Sequence, residues 1–493
     1  MTFRYSTAGL SVAFALTASV AVAQSTGLTV GMQLEPPHLD PTSAAAGAID
    51  SVLYSNVFEG LTRFGPDGSI NPGLATSWDV SEDGKVYTFH LAEGVTFHDG
   101  TTMDAEDVVF SLDRARADDS VNAQKALFAG IESVEATDPL TVTVTLKTAD
   151  GNFPFNMAWG DAVIVAPESV ETIKTAPIGT GAFKFDNWVQ GDSIHLVKNA
   201  DYWGEPAILD EATFKFISDP TAAFAAMMAE DLDVFVAFPA PENLPQFDAD
   251  PRFKVLIGST EGETILAINN KLPPFDNVKV REAIAHAVNR QEIIDGAMFG
   301  YGTPIGTHFA PHHPDYVDLT EMSGYDPEKS KALLAEAGVA TPLKVKMTLP
   351  PPSYARRGGE IVAAELRAVG IEPEIENVEW AQWLEGTFKG KDYGLTIISH
   401  TEPLDINIYA RPDYYFQYDN PEFQALMTDL SAESDPAKRS EMFKQAQETI
   451  AKDYVNAYLF QLPLHTVAKV GVEGLWENLP TQATDLTAVS WSQ

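Results

Sequence analysis

INPGLATSWDVSEDGKVYTFHLAEGVTFHDGTTMDAEDVVFSLDRA, residues 70–115, places a turn-bounded aromatic strand directly before an amphipathic helix. YTFHL at 87–91 is β-prone and follows an Asp83-Gly84 turn, which predicts half of a hairpin. In TTMDAEDVVFSLDRA at 101–115 the period changes. Thr101 or Thr102 stands where a helix cap is needed. Asp104, Glu106 and Asp107 fall in the first turns, where carboxylates meet the positive end of a helix, and Val108, Val109 and Leu112 share one face. Gly84, Gly94 and Gly100 suit turns, while Trp78, Tyr87, Phe89 and Phe97 suit a core. No ligand contact is expected in this stretch.

Strand alternation returns in LTVTVTLK at 140–147. Helices dominate further on. Val280, Ile284, Ala287 and Val288 form a stripe at helical spacing. Asp326-Pro327 reads as an N-cap with a first-turn proline, and Gly338 closes that helix after Leu333 and Leu334. Asp435-Pro436 repeats the device ahead of Met442, Ala446 and Ile450. LKVKMTL (343–349) and YGLTIIS (393–399) are short β-prone runs between helices. This is α/β organisation in more than one lobe. No Ser/Gly-rich linker marks a boundary, which favours hinged lobes over freely tumbling ones.

The 493 residues carry 32 Lys and Arg against 70 Asp and Glu, a formal charge of −38. Such a surface repels phosphate backbones and anionic headgroups, which excludes general nucleic-acid binding. With no cysteine, disulfides, thiolate metal sites and thiol nucleophiles are excluded together. Arg4 is the sole charged residue before Glu35, and an apolar run from Ala8 to Val22 ends in Ala21-Val22-Ala23. That pattern predicts a cleaved export signal over 1–23 and a periplasmic address, with no membrane insertion of the mature chain.

Motifs of catalysis are mostly missing. No GxxxxGK[ST], HExxH, GxSxG or EF-hand pattern occurs. The densest histidine group is His308, His312 and His313, whose spacing could bring two imidazoles to one metal. Pro311 and Pro314 make this a loop, so chance clustering outweighs a metal site, and no metal or cofactor is expected.

Several segments, in order, resemble the family 5 (peptide-binding) solute-binding proteins of ABC importers. They are residues 70–115, Leu39-Asp40-Pro41, IGTGAFKFDNW (178–188), KNADYWG (198–204), PPFDNVKVREAIAHAVNRQEII (273–294), YDPEKSKALLAEAG (325–338) and AVGIEPEIENVEWAQWLEG (368–386). The resemblance implies a two-lobe, hinge-bending periplasmic-binding-protein fold of type II with an extra subdomain inserted in the first lobe. On it we expect lobe I over 24–56, 177–262 and 464–493, the inserted subdomain over 57–176, and lobe II over 263–463. The chain crossings are expected near 263–270 and 459–469.

In dipeptide-binding relatives an arginine at the start of a second-lobe helix takes the peptide carboxylate, and a later acidic residue takes the α-ammonium. The matching positions here are Arg356 or Arg357, and Glu402 ahead of Asp405. A solvated helix start is the equal alternative for the arginines. The sequence departs from the family at Ser399, His400 and Glu402-Pro403. His400 could hydrogen-bond a ligand carboxylate, although a scaffold role is commoner for such a histidine. Tyr409, Tyr414, Tyr415 and Phe416 could line the cleft or pack a loop core, and Trp383 lies beside Trp380 near another position that reaches the cleft.

The resemblance implies a monomeric, non-enzymatic receptor. It would capture a small polar ligand, first of all a short peptide, and deliver it to an inner-membrane ABC permease. Oligosaccharides, opines and nickel complexes are the alternatives within that role. An exported peptide or glycan hydrolase is the alternative outside it.

Overall fold

The computed structural model describes residues 27–43 and 46–492. The expected signal segment therefore lies outside the described residues. One sheet of eleven strands runs through both halves of the molecule. From one edge its order is Ile371–Asn377, Leu343–Leu349, Leu395–His400, Phe253–Ile268, Ala457–Lys469, Val234–Phe235, Gly27–Met32, Glu211–Phe216, Ser193–Lys198 and Phe183–Val189. Thr303–Pro304 adds to the side of Ala457–Lys469.

Phe253–Ile268 and Ala457–Lys469 are the longest strands and join the two halves. They pair antiparallel from Phe253↔Lys469 to Ser259↔Pro463, then lose register, and resume at Glu263↔Gln461. The interruption is held by side chains. Thr260 Oγ1 donates to the Leu462 carbonyl at 3.0 Å and accepts from the Gly262 amide at 3.0 Å, and Gln461 Nε2 donates to the Thr260 carbonyl. The strand Phe253–Ile268 thus bends just before residues 263–270.

Beyond the interruption the strand alternates at period two. Leu266 and Ile268 face one buried layer, and Ile265 and Ala267 face the other. Helices Val278–Ala287, Arg290–Met298, Pro327–Glu336 and Ser353–Ala368 cover the first face. Pro421–Ala432, Pro436–Lys452 and the segment 405–418 cover the second. Two buried arginines tie this half together. Arg290 donates to the carbonyls of Ile305 and Tyr458 and to Ser323, and Arg281 to those of Phe275, Asp453 and Tyr454. A separate core gathers around Gly27–Met32, Glu211–Phe216 and the C-terminal Leu486 and Val489.

The stretch that opened the sequence reading forms its own layer. Strands Ala75–Val80, Val86–Leu91, Thr141–Leu146 and Ile131–Asp138 make an antiparallel sheet in that order, packed on helix Ala105–Arg116. Asp83-Gly84 does turn the hairpin, with Gly84 at φ 68°. The helix begins later than expected. Asp104 is its cap, accepting from the Glu106 amide at 2.9 Å, while Asp107 accepts from the Asp104 amide at 2.9 Å. Thr101 is instead drawn into the preceding turn, donating twice to Asp99. The caps at Asp326 and Asp435 lie where the sequence puts them. Among the described residues no helix is long and apolar enough to cross a membrane.

Candidate ligand-binding site

Strand Leu395–His400 delivers His400 at its C-terminal end, the end at which sheets of this kind present ligands. The chain then passes through Leu404, held at φ 54°, and folds back in a 3-10 turn, Asp405–Ala410. A left-handed leucine is a strained backbone, and it aims Asp405 back at the strand end. On the other side a π-helical stretch, Trp383–Lys389, follows a capped turn and swings Trp383 toward the sheet, where its Nε1 donates to Thr396 Oγ1 at 3.0 Å. Between these elements lies an open cavity of about 410 Å³. Its walls are the rings of Trp383, Phe388, Tyr414 and Tyr415, and its polar groups include His400, Glu402, Asp405 and Arg411.

Five of the eight residues expected from the sequence meet here: Trp383, His400, Glu402, Asp405 and Tyr414. Three do not. Arg356 does not line the cavity and is tied to the segment before Trp380, with Nη2 on the Val378 carbonyl at 3.0 Å and on Glu379 at 3.2 Å. Arg357 is exposed and turns over the Phe299 ring at 5.3 Å. The helix start bears on the cavity wall through Tyr354 instead, whose hydroxyl accepts from the Ser399 amide at 3.2 Å. Tyr409 is fully buried, because its hydroxyl is engaged by His308 Nδ1 and Asn456 Nδ2, each at 3.1 Å. It belongs to the loop core, the alternative open for it in the sequence.

The one Lys or Arg lining the cavity is Arg411. Its guanidinium stacks over Tyr414 at 4.5 Å, and no carboxylate among the described residues pairs with it. Glu402 is exposed at the rim and, among the described residues, is engaged only by the Thr401 amide at 3.2 Å. Sequence reasoning missed Arg411 by attending to the rarer Arg-Arg pair, although it is the sole Lys or Arg in 397–418 and lies three positions before Tyr414.

Beneath the cavity sits a buried polar cluster that no local spacing encodes. Asp405 Oδ1 accepts from His308 Nε2 at 2.7 Å, and its Oδ2 faces His400 Nδ1 at 3.3 Å. His400 Nε2 meets the Tyr415 hydroxyl at 3.1 Å. Burial alone would raise the Asp405 carboxyl, but the two imidazoles hold it well below the usual range. Burial lowers His308, and the facing Asp405 carboxylate opposes that shift. Glu263 is fully enclosed one strand away, and burial, with Glu261 and Asp405 adding, pushes its carboxyl well above the usual range. The expected histidine group is dispersed. His312 bridges Ser259 and Glu261, each at 2.7 Å, beside the interruption between the two long strands, and His313 packs on Phe309.

Residues 69–418 match the family model for bacterial extracellular solute-binding proteins, family 5 (middle region). The chain belongs to that family. Its members are the solute-binding components of ABC importers. Among curated relatives, this family 5 protein is 28% identical to "Heme-binding protein A" of Haemophilus influenzae, over 84% of its own length and 83% of the relative's. It is also 28% identical to the "Dipeptide-binding protein" of Escherichia coli, over 83% and 84%. Among solved structures, HbpA2 from Haemophilus parasuis superposes with a TM-score of 0.88 at 25% identity, covering 95% of this chain and all of that one. The fold is thus the two-lobed α/β type II periplasmic-binding-protein fold.

On the opposite half of the sheet this solute-binding protein carries a second open cavity of about 450 Å³, after strand Gly27–Met32. Gln33, Leu34, Ser51 and Gln482 line it, and none of the described residues lining it is charged. A third, of about 300 Å³, lies at a seam where Trp78, Tyr87 and Phe155 approach His313, Arg439 and Phe443. That seam is closed by the Gly151 amide on the Ser431 carbonyl at 2.7 Å and by Arg439 on Asn152.

Proposed function

We propose that this protein captures a short zwitterionic peptide between its lobes and hands it, chemically unchanged, to an inner-membrane permease. The observation that carries the reading is the pair of opposite charges, neither in an ion pair among the described residues, at one aromatic-walled cavity. Arg411 offers a planar, stacked fork suited to a carboxylate, and Glu402 an exposed carboxylate suited to an ammonium. Asp405 is the weaker candidate for the ammonium, since both its oxygens are engaged by imidazoles. Trp383 and Tyr414 supply apolar contact that does not read side-chain sequence, and the uncharged wall by Gln33 and Leu34 is the opposing jaw.

Binding both jaws at once gives the ligand its preference for the closed state; hinge closure in periplasmic binding proteins is a standard case. On this reading lobe I spans 24–56, 177–262 and 464–493, the inserted subdomain 57–176, and lobe II 263–463. The hinge is the interruption at 259–263, where the two long strands lose register. The protein acts as a monomer without catalysis, and its export signal is cleaved after Ala23. The dipeptide-binding relative supports the ligand class.

The test is to release and identify by mass spectrometry what copurifies with the protein. Peptides of mixed sequence and narrow length support the reading. A single sugar, an opine or a metal chelate overturns the peptide assignment, and recovery of cleaved peptide overturns the receptor role.

A further inference from the structure

Peptide capture at the rim leaves the cluster beneath it without a task. His308, His400 and Asp405 each offer a donor atom, and these lie within 4.8 Å of one another. We infer that His308, His400 and Asp405 bind one divalent transition-metal ion through His308 Nε2, His400 Nδ1 and an Asp405 oxygen, with the remaining coordination positions facing the cleft. The inference stands apart from the Arg411–Glu402 clamp, and Asp405, the weaker ammonium candidate, is the one side chain both readings could use.

Two imidazoles and one carboxylate are a donor set for Zn²⁺, Ni²⁺ or Cu²⁺ rather than for Ca²⁺ or Mg²⁺, which take oxygen ligands. Metal-binding histidines need the proton on the far nitrogen and a partner to fix it there. Both rings have one: His308 Nδ1 faces the Tyr409 hydroxyl and His400 Nε2 the Tyr415 hydroxyl, each at 3.1 Å. A hydroxyl can accept as well as donate, so each imidazole can carry its proton on that side and free the nitrogen that faces Asp405.

The charge balance points the same way. A small cavity beside the cluster is walled by Glu261, Glu263, His308, His313 and Asp405, with no Lys or Arg among the described residues of its lining, and Glu261 is taken by His312 at 2.7 Å. Glu263 is fully enclosed, and its Oε2 has no hydrogen-bond partner among the described residues. A dication at His308 and Asp405 would stand beside this enclosed, unpartnered carboxyl, where a positive charge favours its ionised form. The adjustment is small. Ligands of a tetrahedral ion with bonds of about 2.0–2.1 Å stand roughly 3.3 Å apart. Asp405 Oδ1 must therefore back away from its present 2.7 Å contact with His308. Access exists as well, since His400 and Asp405 line the open cavity.

The experiment uses the tag-free, chelator-stripped full chain, titrated calorimetrically with Zn²⁺ and with Ni²⁺. One equivalent should bind and raise the melting temperature. Tyr409→Phe and Tyr415→Phe should each weaken binding about 10–100-fold, and His308→Gln and Asp405→Asn by more. Arg411→Ala and Glu402→Gln should leave the metal titration unchanged, which separates failure of this site from failure of the peptide clamp. Since His308→Gln could misfold, Co²⁺ is added to the unaltered protein as a spectroscopic probe. Intense visible bands of a low-coordinate ion with nitrogen ligands support the site. The pale spectrum of hydrated Co²⁺, or saturable binding that survives every one of the four substitutions, overturns it.

Discussion

Arg411→Ala is the sharpest test of the charge clamp. The guanidinium is exposed, stacked on Tyr414 at 4.5 Å and unpaired by any described carboxylate. Its removal therefore leaves no buried group unsatisfied, and folding stability should change by no more than about 0.5 kcal/mol. In the complex the same group becomes a desolvated donor to the ligand carboxylate. A hydrogen bond to a charged group contributes about 1.5–3 kcal/mol, so the dissociation constant for a free dipeptide should rise about 10–150-fold. Arg411→Lys keeps the charge but loses the fork and the stack, so it should recover only part of the affinity. The assay is calorimetry on ligand-free protein with a dipeptide and with its C-terminal amide. The amide should bind the unaltered protein weakly and be nearly indifferent to Arg411→Ala. Equal affinity for acid and amide, or a loss below threefold for the acid, would refute the argument that Arg411 takes a carboxylate.

Other expectations follow from buried groups. Burial, with Asp40 adding, raises Asp161 to about 7. Its contribution is fully present below the unfolded carboxyl value near 4 and is lost as pH rises toward 7. Asp161→Asn should flatten that decline and raise the melting temperature at pH 8 by the equivalent of at most about 4 kcal/mol; an unchanged pH profile would dispose of the idea. Arg290→Met strips donors from the carbonyls of Ile305, Tyr458 and Ser323, and should cost at least about 3 kcal/mol in urea unfolding, whereas a cost under 1 would mean that water replaces them. A methyl group at Gly151 would collide with the Glu433 carbonyl across the seam. Gly151→Ala should therefore destabilise by about 1–3 kcal/mol and speed amide exchange at 150–153 and 431–439. Exchange that is unchanged there would show that the seam is not held at this point.

The sequence was most legible where the cause of structure is local. Asp326-Pro327 and Asp435-Pro436 start helices because a carboxylate and a fixed φ act within one turn. The Asp83-Gly84 hairpin is legible for the same reason. The cap at 101–104 was misread because two side chains competed for one helix start, and Thr101 is drawn into the preceding turn by Asp99. The cavity was half legible. His400, Glu402 and Asp405 are close in the chain and share one turn, whereas Arg356 and Arg357 share a helix on which neighbouring positions point apart. The pairing of His308 with Asp405, and the placing of Glu263 beside them, depends on how distant segments pack together. No spacing along the chain carries that information.

The last long strand has a consequence for how the molecule comes into being. Ala457–Lys469 hydrogen-bonds to Val234–Phe235 on one flank and to Phe253–Ile268 on the other, so each half of the central sheet lacks an interior member until it arrives. Residues beyond it close the first half too, for Asn56 bonds to Thr484 and Leu486, and Trp491 to Gly27. A nascent chain therefore cannot finish one half while the other is still being made. Both must wait for nearly the whole polypeptide, and a chain stopped short of residue 457 should stay protease-sensitive throughout this sheet.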